Sequence, residues 1–155
     1  MAGTQRFRQI DAGGSHTCAV TVDGRAFCWG NGRSGAVGDG KNLLRFTPRA
    51  VAGGLTFDRV TAGQLHSCGE ASNNRLYCWG YNIDGQLGDG TMTPRFTPVA
   101  VAGGLFFSQA SAGGQHTCGR NAQGAAYCWG SYGDGRLGTA DITAHLAPAP
   151  VVAPM

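Results

Sequence analysis

The chain has 155 residues, only 14% of them charged, with 27 glycines and a formal net charge of +3. So little charge argues against a solvated disordered chain, and so much glycine points to many tight turns and hence to all-β structure. The arginines are scattered, with no lysine-rich run and no basic helix to follow a phosphate backbone, so no nucleic-acid partner is expected. No apolar run approaches the ~20 residues of a membrane span.

Taken in chain order, the first element expected is a strand over Phe7–Ala12, then strands over His16–Val22 and Arg25–Gly30. A glycine-rich loop from Asn31 to Thr47 leads to a fourth strand at Pro48–Val51. The whole unit then recurs with a period of 50. His16, His66 and His116 align, as do Cys28-Trp29-Gly30, Cys78-Trp79-Gly80 and Cys128-Trp129-Gly130, and Pro48, Pro98 and Pro148. A dozen columns in fixed register are not a chance match. Three units are read, at about 5–54, 55–104 and 105–155. No stretch sustains a 3.6-residue period, so no helix is expected. One four-stranded sheet cannot bury both faces alone and must stack on its copies.

The turn between the second and third strands sets the register. Its tips read Val22-Asp23-Gly24, Ser72-Asn73-Asn74 and Ala122-Gln123-Gly124, and only the last position always tolerates a left-handed backbone. That fits a three-residue loop with a G1 bulge. Thr21 then pairs with Arg25, and counting outward sets Cys18 opposite Cys28 in a close, non-hydrogen-bonded pair. A two-residue loop would set Cys18 opposite Trp29. Three disulfides within the repeats are therefore predicted: Cys18–Cys28, Cys68–Cys78 and Cys118–Cys128. Each closes a loop of about 11 residues, worth about 2.7 kcal/mol by chain entropy. A disulfide in every repeat implies an oxidising compartment, extracellular or periplasmic. Met1–Arg8 does not read as a secretory signal, since no apolar stretch follows its charges.

The run Ala62-Gly63-Gln64-Leu65-His66-Ser67-Cys68, Tyr77-Cys78-Trp79-Gly80 and Asp84-Gly85-Gln86-Leu87-Gly88 resembles the repeat of the regulator of chromosome condensation family. The resemblance covers essentially the whole chain. It implies a β-propeller with four-stranded blades, usually seven to a ring, acting mostly through protein–protein contacts. Those include guanine-nucleotide exchange on a small GTPase and histone or DNA contact in the eukaryotic nuclear member. Bacterial relatives are often secreted or surface proteins, and some inhibit enzymes by docking a propeller face. The paired cysteines and the count of three repeats depart from the nuclear pattern, so no exchange-factor residue is carried over, and a bacterial extracellular member fits better.

Three blades do not close a ring. Two readings stand at this point. Two copies can make a six-bladed homodimer through their blade faces, or the chain is a segment of a longer repeat protein. The degenerate third repeat, with Thr139-Ala140 and Leu146-Ala147 at otherwise regular positions, and the missing signal suit the second reading.

No cofactor and no metal are expected. His16, Cys18 and Cys28 offer three zinc-compatible atoms, but Cys-x₉-Cys is not a usual zinc spacing. Asp39, Asp84, Asp89 and Asp134 read as turn residues rather than calcium ligands. Gly30-Asn31-Gly32-Arg33-Ser34-Gly35 has the dinucleotide-binding spacing without a following helix. The histidines are expected to hydrogen-bond inside the blade and pack between blades, and the tryptophans to lie between blades with each indole N–H on a backbone carbonyl. Ser15-His16 and His66-Ser67 are chain neighbours on opposite strand faces, so no catalytic dyad is expected. The remaining variety is in the loops 31–44, 81–94 and 131–146. There Arg33, Tyr81, Asn82, Arg95 and Tyr132 are the candidate contacts for a protein partner. The function expected is a non-catalytic binding or scaffolding module. Self-assembly into rings or filaments is the first alternative, and a propeller enzyme with a channel active site the second.

Overall fold

A computed structural model describes residues 4–154; the first three residues of the Met1–Arg8 stretch and Met155, the assigned end of the third unit, fall outside. The described residues form three four-stranded antiparallel sheets, each a simple meander. The first holds β1 (Phe7–Ala12), β2 (His16–Thr21), β3 (Ala26–Asn31) and β4 (Leu44–Ala50). The second holds β5 (Phe57–Ala62), β6 (His66–Ala71), β7 (Leu76–Gly80) and β8 (Arg95–Ala100). The third holds β9 (Gln109–Ala112), β10 (His116–Arg120), β11 (Ala126–Gly130) and β12 (His145–Pro150). A single 3-10 turn at Gly133–Gly135 is the sole departure from strand and loop among the described residues. The first strands of successive sheets approach one another, whereas β4 is an exposed edge.

The hairpins adopt the expected loop. Thr21 N–H donates to the Arg25 carbonyl and Gly24 N–H to that of Thr21, each at 2.9 Å. Gly24, Asn74 and Gly124 all have positive φ, at 83°, 63° and 88°. Cys18 accordingly faces Cys28, with Cα atoms 4.1 Å apart, and all three disulfides form. Each links neighbouring strands of one sheet, and none joins two sheets. Replacing Cys68 and Cys78 together by alanine is expected to lower stability by about 2.7 kcal/mol. A urea titration checks this, and an unchanged midpoint would show that the bond adds nothing.

The fourth strand differs from expectation. It starts at Leu44, not Pro48, because the ladder resumes beyond an irregularity: Cys28 pairs with Arg49, then Gly30 with Arg45. Cys78/Gly80 and Cys128/Gly130 repeat it. Pro48, Pro98 and Pro148 sit inside the break, where a residue without an N–H costs no ladder bond. Trp29, Trp79 and Trp129 lie opposite, at the break in each third strand.

The core lies between sheets, as it must when one sheet alone cannot bury its own faces. Cys18, Val20, Ala26, Cys28 and Val37 of the first blade pack on Phe57, Val60 and Trp79 of the second. Cys68, Leu76, Cys78 and Leu87 of the second pack on Phe107 and Trp129 of the third.

Candidate functional site

Each joint between blades is built from the same polar set. Trp79 Nε1–H donates to the Ala36 carbonyl at 3.0 Å, and Ser67 Oγ donates to the same oxygen at 2.8 Å. His16 Nε2 lies 2.7 Å from Ser67 Oγ. At the second joint Trp129 and Thr117 meet the Gln86 carbonyl at 3.1 and 2.7 Å, and His66 Nε2 lies 2.8 Å from Thr117 Oγ1. The tryptophan expectation thus holds at both joints. The histidine expectation needs correction, because the bonds cross to the next blade instead of staying inside one. The serine or threonine proton is committed to the carbonyl, so the imidazole supplies Nε2–H. Nδ1 meets no protein partner and keeps a bare lone pair, which is cheaper to bury than an N–H. Burial pushes His16 down to about 4, against a partial upward pull from Asp11, and His66 down to about 3, helped by the other two histidines.

His16 and Ser67 have the contact distance of a base and a nucleophile, which chain-neighbour reasoning did not find because they are 51 positions apart. The pair recurs as His66 and Thr117. Both hydroxyls are buried and directed at carbonyls, so the arrangement fastens blades together and presents no nucleophile to a substrate. Of the residues weighed as zinc ligands, Cys18 and Cys28 are bonded to each other and His16 Nε2 meets Ser67.

Above the first joint, the loop ends form an open cleft of about 420 Å³. Leu65, Tyr81, Pro94 and Phe96 of the second blade supply an apolar lining, with Arg33 and Ser34 of the first at the rim. The walls are fixed by backbone bonds: Ser34 Oγ and Tyr81 N–H both donate to the Leu65 carbonyl, at 3.2 and 2.9 Å. Arg33 N–H is held by Asn31 Oδ1 at 3.1 Å, while its side chain is exposed. At the corresponding places over the second joint stand Ile83, Gln115, Ser131, Ala144 and Leu146, so the aromatic pair is particular to the first.

Of the five candidate contacts, the structure brings Arg33 and Tyr81 together. Tyr132 lies apart, at the far side of the third blade. Asn82 corrects the expectation. It is fully buried, donating to the carbonyls of Thr91 and Thr93 at 3.0 Å each and accepting from Leu87 N–H at 3.0 Å. That amide shapes the loop from inside and is not available to a partner. Arg95 is tied to Asp89 at 2.9 Å. Burial works to raise the Asp89 carboxyl, but bonds from Thr91, Arg95 and Asn82 outweigh it and hold the group low. Asp39 and Arg45 repeat the ion pair, and His145 with Asp141 replaces it in the third blade. Leu65, Pro94 and Phe96 were not foreseen. Phe96 sits in a regular repeat column, and nothing in the pattern signals that its ring is half exposed.

Among known proteins, the family model described as the Regulator of chromosome condensation (RCC1) repeat matches residues 23–69 and 73–119. A second model of the same description matches 7–36 and 57–86. The human E3 ubiquitin-protein ligase HERC2 is 40% identical over 48 residues, which is 31% of this chain and 1% of that protein. Prp20p from Saccharomyces cerevisiae superposes with a TM-score of 0.86 at 20% identity, over 96% of this chain and 39% of that one. The ectodomain of the Physcomitrella patens receptor kinase CR4 gives 0.56 at 28% identity, over 83% of this chain and 29% of that one. The chain thus spans well under half the length of each of these relatives.

Proposed function

The chain belongs to the Regulator of chromosome condensation (RCC1) repeat family, and from that premise we propose that it is a non-catalytic protein-binding module working in an oxidising, extracellular or periplasmic compartment. The observation that carries this reading is the cleft over the first joint. Its apolar lining is set on rigid backbone, and its rim carries one free guanidinium. Tyr and Arg at the mouth of a preformed pocket are the residue types that dominate binding energy at interfaces. The partner that fits is a protein segment with an aromatic or aliphatic side chain for the cleft and a nearby carboxylate for Arg33. The fixed joints beneath supply the scaffold, and the loop residues above supply the choice of partner.

The three disulfides support the compartment. So does the likeness to a receptor-kinase ectodomain. Prp20p was characterised for its binding to Gsp1p and histones, which fits a propeller that acts by contact.

A displayed peptide library selected on this chain should enrich segments that pair an apolar residue with an acidic one. Tyr81→Ala should then weaken the best segment about tenfold or more, since truncating such an anchor costs about 2 kcal/mol. Arg33→Ala should weaken acidic segments selectively. Both variants should keep the parent's melting temperature. Selection of segments indifferent to both substitutions would refute the cleft as the binding site.

A further inference from the structure

At the strand ends opposite the apolar cleft, the two joints are framed alike and filled differently. At the first joint Arg8 reaches across to the second blade. Its Nε–H donates to the Thr21 carbonyl at 3.2 Å and its Nη2–H to the Phe57 carbonyl at 2.7 Å, with Asp58 3.7 Å from Nη2. Two carbonyls, one from each blade, thus hold a guanidinium. The second joint keeps the frame. Phe107 N–H donates to the Asn74 carbonyl at 3.0 Å, as Phe57 N–H does to that of Gly24 at 2.8 Å. Asn74 N–H donates to the Ala71 carbonyl, as Gly24 N–H does to that of Thr21, at 2.9 Å each. The carbonyls of Ala71 and Phe107 are therefore the counterparts of the pair that holds Arg8.

The arginine itself is missing there. Asp58 takes the position of Arg8, with a side chain that is shorter and of opposite charge. Among the described residues no side chain donates to the Ala71 or Phe107 carbonyl. An open cleft of about 460 Å³ lies there instead, lined by Asp58, Glu70, Ala71, Asn74 and Phe107. Glu70 takes the position of the buried Val20 and is itself only 8% exposed. One of its carboxyl oxygens accepts the Ala110 N–H, and the other meets no donor among the described residues. In the first joint the neutral amide of Gln9 makes the matching bond to Val60 N–H at 2.9 Å, so that bond does not require a charge. Burial raises the Glu70 carboxyl, against downward pulls from the Ala110 N–H and Arg59, and a cation bound beside it would favour its ionised form. Three arginines stand at the rim of this cleft. Arg8 is held by the first joint, Arg120 reaches Gln109 Oε1 at 3.4 Å, and Arg59 is exposed.

We propose that this cleft is a binding site for the guanidinium of an arginine side chain carried by a protein partner. The Ala71 and Phe107 carbonyls accept its N–H groups, as their counterparts accept those of Arg8, and Glu70 and Asp58 balance its charge. Arginine is the occupant because the same frame, one joint earlier, holds one. The cradle belongs to the second and third blades, so the site is complete within the described residues. It shares no residue with the apolar cleft over the first joint.

The probe is the peptide acetyl-Gly-Arg-Gly-amide, titrated at low salt into the isotope-labelled, disulfide-intact chain and followed by the chemical shifts of the backbone amides. It should move the amides of Ala71, Asn74, Phe107 and Ser108. The lysine peptide should bind about tenfold more weakly, since a compact ammonium cannot span two carbonyls and a carboxylate. The citrulline peptide, which keeps the shape without the charge, should not bind. Glu70→Gln keeps an acceptor for the Ala110 N–H and should weaken the arginine peptide about tenfold. Asp58→Arg, at an exposed position, restores the repeat's own arginine. It should fill the cradle from within, abolish peptide binding and raise the melting temperature. Tyr81→Ala should leave binding unchanged. Unmoved amides at 71–74 and 107–108, a lysine peptide that binds as tightly, undiminished binding by Glu70→Gln or Asp58→Arg, or loss of binding in Tyr81→Ala would each overturn the proposal.

Discussion

Trp79→Ala should lower stability by about 3–5 kcal/mol, a large share of the ~5–15 kcal/mol of an ordinary domain. The indole is fully buried in the cluster between the first two blades, against Phe57 at a centroid distance of 5.9 Å. Its removal takes away that packing and leaves the Ala36 carbonyl with one donor in place of two. Gly38, which lies against the indole, has no side chain to reach into the hole. Since a repeat array is held together by nearest-neighbour joints, the first blade should also uncouple from the other two, and the urea transition should broaden or split. Trp29→Ala is the internal control. Trp29 is half-buried among the described residues, where Trp79 is fully buried, so its loss should cost only a fraction as much. Equal losses at the two positions would show that the tryptophans stabilise their own blades and not the joints.

Acid should open the same joints. His16 and His66 are neutral in the folded chain, lowered from 6.5 to about 4 and about 3 mainly by burial, whereas the unfolded chain takes up their protons near 6.5. Between those limits the unfolded state binds more protons, so stability is full above pH 6.5 and falls as the pH drops. Two histidines titrating together give a slope of up to about 2.7 kcal/mol per pH unit. His16 completes its loss near pH 4, a total of about 3 kcal/mol, and His66 continues toward pH 3. Glu70 works the opposite way, since burial raises its carboxyl and its protonation in acid favours the fold. His66→Gln preserves a side-chain N–H for Thr117 but cannot titrate, so it should remove up to about 1.4 kcal/mol per pH unit of the slope. Urea midpoints measured every half unit from pH 7 to pH 4 would show it. A parent profile that is flat across that window would rule out the histidine bonds as an acid-sensitive fastening.

The parts legible in the sequence were those fixed by local geometry. The hairpin register followed from the three loop-closing residues Gly24, Asn74 and Gly124, and the disulfides followed from the register. The tryptophan bonds followed from the need of any buried indole N–H for an acceptor. What escaped depends on stacking. The His16–Ser67 contact joins residues of different sheets, and no pattern within one repeat shows it. The early start of β4 was hidden because Pro48 looks like a strand boundary, when it sits in a break of the ladder. Asn82 looked like a surface residue because its column reads Gly32, Asn82 and Tyr132; only the folded loop shows its amide turned inward onto two carbonyls. Of the cleft, Arg33 and Tyr81 were legible as loop residues, while Phe96 was concealed by its place in a regular column.

The placement of the disulfides has a mechanical consequence. Every covalent bridge lies between the second and third strands of one blade, and no bridge crosses a joint. A chain pulled from its ends should therefore part first at the joints and then lose the first and fourth strands of each blade. The central hairpins would stay shut, withholding about 35 Å of extension per blade because about ten residues cannot straighten. In a single-molecule pulling trace, adding a reductant should lengthen every blade's step by that amount while leaving the force at which the joints yield unchanged.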